Sequence, residues 1–122
     1  PGVLEQVMDT VAVVPANDPA ALEARLARGD VAAVILEPSG GSWAMIPLAD
    51  GFLRTVRDLA TKHGAVLVFD EVITGFRWAP GGAQERYGVT ADLATFAKVV
   101  AGGMPGGAIA GRADVMDVLA FK

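Results

Sequence analysis

Along the chain, short apolar runs alternate with stretches in which apolar residues return every three or four positions. The runs are "TVAVV" (10–14), "VAAVIL" (31–36), "AVLVFD" (65–70), "DLATFAK" (92–98) and "GGAIAGR" (106–112). In the second and third the apolar positions are consecutive, as in strands covered on both faces. Between them, "NDPAALEARLARGD" predicts a helix with Asn17 or Asp18 as N-cap, Pro19 in the first turn, Leu22 and Leu26 on one face and Gly29 as its end. "DGFLRTVRDLATKHG" predicts a second, capped by Asp50, turning Phe52, Val56, Leu59 and Ala60 inward and stopping at Gly64. "RADVMDVLAFK" opens a last helix. Strands alternating with helices in this way give βαβ units, an α/β fold with a mostly parallel sheet between helix layers.

Composition sharpens this picture. At 122 residues, 52% hydrophobic and 20% charged, the chain is apolar for a free-standing domain, because small domains have proportionally more surface to cover with polar groups. It starts at Pro1 and stops at Phe121 and Lys122, just after an apolar helical pattern, so it reads as an internal fragment of something larger. Its apolar runs are far below the roughly 20 residues that span a bilayer, and no membrane partner is expected. The absence of cysteine leaves no disulfide framework and no thiolate metal site, which fits a cytoplasmic origin. A net charge of -4 argues against nucleic acid. With one histidine and no cysteine, no metal constellation is expected either.

In parallel α/β folds ligands gather at the carboxyl ends of the strands. Three chemically loaded stretches end strands here: Glu37 with Pro38, Asp70 with Glu71, and Lys98. Asp70 alone reads equally as a loop cap or as a partner for a cation. If strand geometry persists, Val72 shares its face, and a carboxylate beside a flat apolar contact suits a cationic aromatic ring. Lys98 lies between Ala97 and Val99; alone it reads as a strand-end lysine that reaches water, whereas apolar neighbours that desolvate the amine would favour a nucleophilic role. Gly102, Gly103, Gly106 and Gly107 either let the backbone pass close to a ligand or make a tight turn; no Gly-Lys-Ser or Gly-Lys-Thr follows, so they form no P-loop. His63, in the last turn before Gly64, reads as structural, favoured by the helix dipole. Arg77, Trp78, Gln84 and Tyr87 form either an ordinary surface loop or a pocket lining.

The stretch "VLVFDEVITGFRWAPGGAQERYGVTADLATFAKVVAGGMPGGAIAGRADVM" resembles the class III aminotransferases of the pyridoxal-phosphate (PLP)-dependent fold type I. The likeness is continuous from "VAAVILEP" to "GRADVM", and the most specific part is Asp-Glu-Val followed, about 28 residues on, by a lysine ahead of a glycine run. Ile73, "TGFR" and "GGAQ" are most similar to the glutamate-1-semialdehyde 2,1-aminomutase branch. The resemblance implies that Lys98 holds PLP as a Schiff base, that Asp70 pairs with the pyridine nitrogen and that Val72 packs on the ring face. Ser42 stands where the aminomutases usually have asparagine and many transaminases glutamate, which makes it a substrate-pocket candidate.

By the same resemblance, residues 1–122 are part of a PLP-binding large domain, without its N-terminal part or the small C-terminal domain. The parent would be a cytoplasmic homodimer moving an amino group within one molecule, on an amino-acid or amine substrate. Transfer between an amino donor and a keto acid is the alternative within the family, and a non-catalytic α/β binding module the alternative outside it. The fragment alone is expected to be inactive and not to fold stably.

Overall fold

In the computed structural model, which describes residues 2–38 and 47–119, Glu5–Met8 (α1) make one helical turn ahead of an exposed stretch. That stretch contains residues 10–14, predicted as a strand, but no described strand runs beside it and Val13 is 89% exposed. A strand exists only through its ladder, so this one does not form.

Pro19–Leu26 (α2) starts as predicted: Asp18 Oδ1 accepts the Ala21 N–H at 2.9 Å, and Leu22 and Leu26 are buried. Asn17 has another task, donating to the Pro47 carbonyl at 2.9 Å and accepting the Ala49 N–H at 2.7 Å. Phe52–His63 (α3) begins at Gly51, whose φ of 78° lets the chain turn into the helix, and Asp50 is not its cap. It ends at Gly64, in the left-handed region as expected. Leu53, Val56 and Ala60 are buried against the sheet, with Phe52 and Leu59 at the margin. Both Lys62 Nζ, at 2.6 Å, and His63 Nε2, at 3.0 Å, reach Glu23 Oε1, so the single histidine links α3 to α2.

The sheet is mixed and mostly parallel, as expected for the α/β pattern. Ala33–Leu36 (β1), Val66–Asp70 (β2), Leu93–Phe96 (β3) and Ala108–Gly111 (β4) lie side by side in chain order, with only β4 antiparallel. The register sets Leu36 beside Phe69, Asp70 beside Thr95 and Thr95 beside Ile109. Val34, Leu36, Leu67, Phe69 and Ala94 share the face that packs on α2 and α3. The opposite face carries Ile35, Val66, Val68, Thr95 and Ile109 and stays open among the described residues, with Ile35 68% and Ile109 53% exposed. The described residues therefore cover one face of β1, predicted as covered on both. A short helix, Ala113–Met116, gives way to a 3-10 turn, Asp117–Leu119, so the last predicted helix is cut short within the described residues.

One buried carboxylate clamps the amino-terminal end of β3. Asp92 Oδ2 accepts the Leu67 N–H at 2.7 Å and Arg57 Nη1 at 2.8 Å, while Oδ1 accepts Arg112 Nη1 at 2.8 Å. Burial alone would raise its pKa, but the Leu67 N–H and the two guanidinium groups together hold it below its ordinary 3.8.

Candidate functional site at the carboxyl ends of the strands

Asp70 is the last residue of β2 and is half-buried. Its Oδ1 accepts the Val72 N–H at 3.1 Å and lies 3.4 Å from the Thr95 hydroxyl that donates to it. Both contacts fall on one oxygen, and among the described residues Oδ2 receives none. The strand stops at Asp70, so face alternation does not bring Val72 alongside. A turn does so instead, in which the carboxylate accepts the amide two residues on.

Next in sequence, Glu71 is fully buried. Its Oε2 accepts the Ala83 N–H at 2.7 Å and the Thr74 hydroxyl at 3.0 Å; its Oε1 accepts Gln84 Nε2 at 3.1 Å and faces the Gln84 N–H at 3.4 Å. The main chain of Glu71 is engaged too, its N–H donating to the Thr95 carbonyl and its carbonyl accepting the Gly75 N–H, each at 2.9 Å. The carboxylate thus caps the first turn of Gly82–Tyr87 (α4) from a distant point in the chain. Gly82 makes room for it: at φ 66°, a Cβ there would stand 2.2 Å from Glu71 Oε2. Gln84 Oε1 then accepts the Ala91 N–H at 3.0 Å, which continues the chain of bonds to the approach to β3. Sequence reasoning names Glu71 as a strand-end acid beside Asp70 but assigns it no role. The available signal was "GGAQ", whose small residues and amide fit a carboxylate placed a dozen positions earlier.

Gln84 is therefore committed inward, while Arg77, Trp78 and Tyr87 face solvent. Trp78 and Tyr87 meet edge to face at 5.8 Å, Arg86 lies over Trp78 at 5.8 Å, and Arg77 Nε donates to the Ile73 carbonyl at 2.9 Å.

Lys98 stands two residues beyond β3, at the same end of the sheet as Asp70 on the neighbouring parallel strand. It opens a 3-10 turn, Lys98–Ala101, with φ 50°, in the left-handed region that lysine rarely adopts. The side chain is exposed, and Val99 and Val100 are each 40% exposed. The apolar surroundings expected to desolvate the amine are thus not supplied by the described residues. Gly102 and Gly103, at φ 59° and 93°, end this turn, the tight-turn use of the glycine run. Glu37 is half-buried and borders an apolar cavity of about 720 Å³ between residues 10–16, α2, β1 and α3, a cavity that neither Asp70 nor Lys98 lines. Ser42 lies outside the described residues.

Against known proteins, the family model described as aminotransferase class-III matches residues 8–122. The chain is 56% identical over 120 residues to the glutamate-1-semialdehyde 2,1-aminomutase of Sorangium cellulosum, covering 97% of this chain and 28% of that protein. An omega-transaminase from Sphaerobacter thermophilus superposes with a TM-score of 0.87 at 39% identity, over 96% of this chain and 27% of the other. A glutamate-1-semialdehyde-aminomutase from Pseudomonas aeruginosa PAO1, solved in complex with PMP, gives a TM-score of 0.80 at 34% identity, over 91% and 25%. The chain spans about a quarter of the length of these relatives. With the sheet order, the paired strand ends and a match across nearly its whole length, the chain belongs to the class III aminotransferase family.

Proposed function

We propose that residues 1–122 form part of the PLP-binding large domain of an enzyme that moves an amino group. The observation that carries this reading is Asp70 and Lys98 at the same ends of adjacent parallel strands, with the Val72 amide bonded to the Asp70 carboxylate. The donor set fits the group: an anion for a ring nitrogen, an amine for an aldehyde and an apolar side chain for a ring face. When bound, PLP supplies a protonated ring that accepts the electrons released as a C–H bond breaks on the substrate carbon bearing the amine.

The rest falls to the chain's own side chains. Lys98 would hold the cofactor covalently and, once displaced by the substrate amine, take and return a proton at Nζ. Asp70 would keep the ring nitrogen protonated through Oδ2, since Oδ1 already accepts from Val72 and Thr95. Val72 would pack on the ring and Ser42 would border the substrate. The assembly is a homodimer, as the family resemblance implies.

The transfer we favour is intramolecular, of the glutamate-1-semialdehyde aminomutase type, supported by 56% identity to the Sorangium relative together with Ile73 and the "TGFR" and "GGAQ" stretches. Transamination between an amino acid or amine and a keto acid is the second reading. It is favoured by one observation: the omega-transaminase is nearer in structure and sequence than the solved Pseudomonas aminomutase. Incubating the complete enzyme with PLP, reducing with borohydride and mapping the peptides should place the label on Lys98, and Lys98→Ala should abolish labelling and activity. Label on another lysine would overturn the assignment. Assays of glutamate 1-semialdehyde isomerisation against keto-acid-dependent transamination separate the two readings.

A further inference from the structure

We propose that Glu71 is a positioning residue for the cofactor-binding groups on either side of it, acting through the 72–84 loop that it holds at both ends. The inference rests on the PLP reading above and concerns a residue which that reading leaves without a role.

Three observations converge on it. Val72 directly follows Glu71 in a turn whose far end returns to it twice, through the Gly75 N–H on its carbonyl and the Thr74 hydroxyl on its carboxylate. The same carboxylate fixes the far end of the loop at Ala83 and Gln84, so Val72 and Asp70 cannot shift relative to α4 without breaking several bonds in a buried space. The Glu71 N–H also donates to the Thr95 carbonyl, which ties it to the strand that leads to Lys98. Those two main-chain bonds fix where Glu71 stands, and the carboxylate adds the Thr74 hydroxyl, a contact within the turn that carries Val72 which a side chain serving only as a helix cap would not need.

Gly82 gives the inference a geometric handle, because a Cβ there would overlap Glu71 Oε2 at 2.2 Å. Gly82→Ala must therefore push the carboxylate away, and shortening it with Glu71→Asp in the same chain should restore room. At the carboxylate itself, Glu71→Gln turns one acceptor into a donor facing N–H groups, and Thr74→Val removes one donor while leaving the charge in place.

The experiment uses the complete enzyme and PLP, with the cofactor dissociation constant, the visible circular dichroism of the bound cofactor and the melting temperature read on each variant. Displacements of this kind are worth on the order of ten- to a hundredfold where they reach bound groups. Glu71→Gln and Gly82→Ala should raise the PLP dissociation constant within that range and alter the dichroic band, with Thr74→Val intermediate. The Glu71→Asp, Gly82→Ala double variant should bind PLP more tightly than Gly82→Ala alone. Variants that melt earlier yet keep wild-type affinity and dichroism would reduce Glu71 to a structural cap and overturn the proposal; Thr74→Val, the mildest change, keeps the test decisive if the others fail to fold. Wild-type enzyme that takes up no PLP at Lys98 would sink the functional reading and this inference together, whereas normal uptake with unchanged variants sinks this inference alone.

Discussion

Asp92 and Glu71 are both buried carboxylates, and they differ in what compensates their burial. Asp92 faces two guanidinium groups, from Arg57 and Arg112, whereas the partners of Glu71 are neutral amides and a hydroxyl. Asp92→Asn removes the anion and leaves Arg57, 16% exposed, without its counter-charge. Breaking such a pair from one side should cost about 2–4 kcal/mol, seen as a lower urea midpoint for the complete protein. The sign of the pH dependence follows from the lowered pKa. The clamp contributes in full above the ordinary 3.8 and is lost as pH falls through the lower folded value, so wild type and Asp92→Asn should converge in stability below pH 3.8. A gap that widens on acidification would contradict this. Asp70 and Lys98 could be singled out from sequence, because a charged residue after an apolar strand is a local signal. The same signal marks Glu71, but its role was not legible, because its partners stand at positions 74, 83 and 84 and only the folded loop brings them together.

At the scale of elements, what was legible is what is decided locally. Asp18 with Pro19 begins α2 and Gly64 ends α3, since caps need only neighbouring residues. The 10–14 run was misread because a strand depends on a partner that its own residues do not specify. The glycine run allows a turn after Lys98, but that the turn opens at Lys98 itself depends on how the chain leaves β3, where Gly102 and Gly103 permit a reversal into β4. The antiparallel pairing of β3 with β4 also rests on a glycine: a Cβ on Gly111 would lie 2.2 Å from the Asp92 carbonyl oxygen and 2.6 Å from Leu93 Cδ2. Gly111→Ala should therefore destabilise the protein by about 1–3 kcal/mol, and hydrogen exchange should localise the loss to β4. Uniform exchange across the sheet would refute this account of the glycine.

For the whole molecule, the unsatisfied feature is the open face of the sheet. Apolar strands without interruption announced two covered faces, yet the described residues cover one and leave Ile35 and Ile109 largely exposed. The 122 residues expressed alone should bind a hydrophobic dye, self-associate on gel filtration and show no transaminase activity with added PLP. A monodisperse, dye-negative monomer would show that this face needs no cover. The fold class was legible because the alternation of runs and periodic segments survives in a part of the sheet; the state of its faces was not, because that depends on what lies against them.

The chain of bonds from Glu71 through Gln84 to Ala91 divides the crossover between β2 and β3 into two portions. Residues 82–91 are fastened at both ends, so their length is fixed to the residue. Phe76, Arg77 and Trp78, exposed and outside those bonds, form the portion where extra chain could be added at little entropic cost, about 0.6 kcal/mol for each doubling of loop length. Divergence in length within this crossover is therefore expected to gather around Trp78, where a longer excursion could acquire new contacts while the Asp70 turn stays as it is.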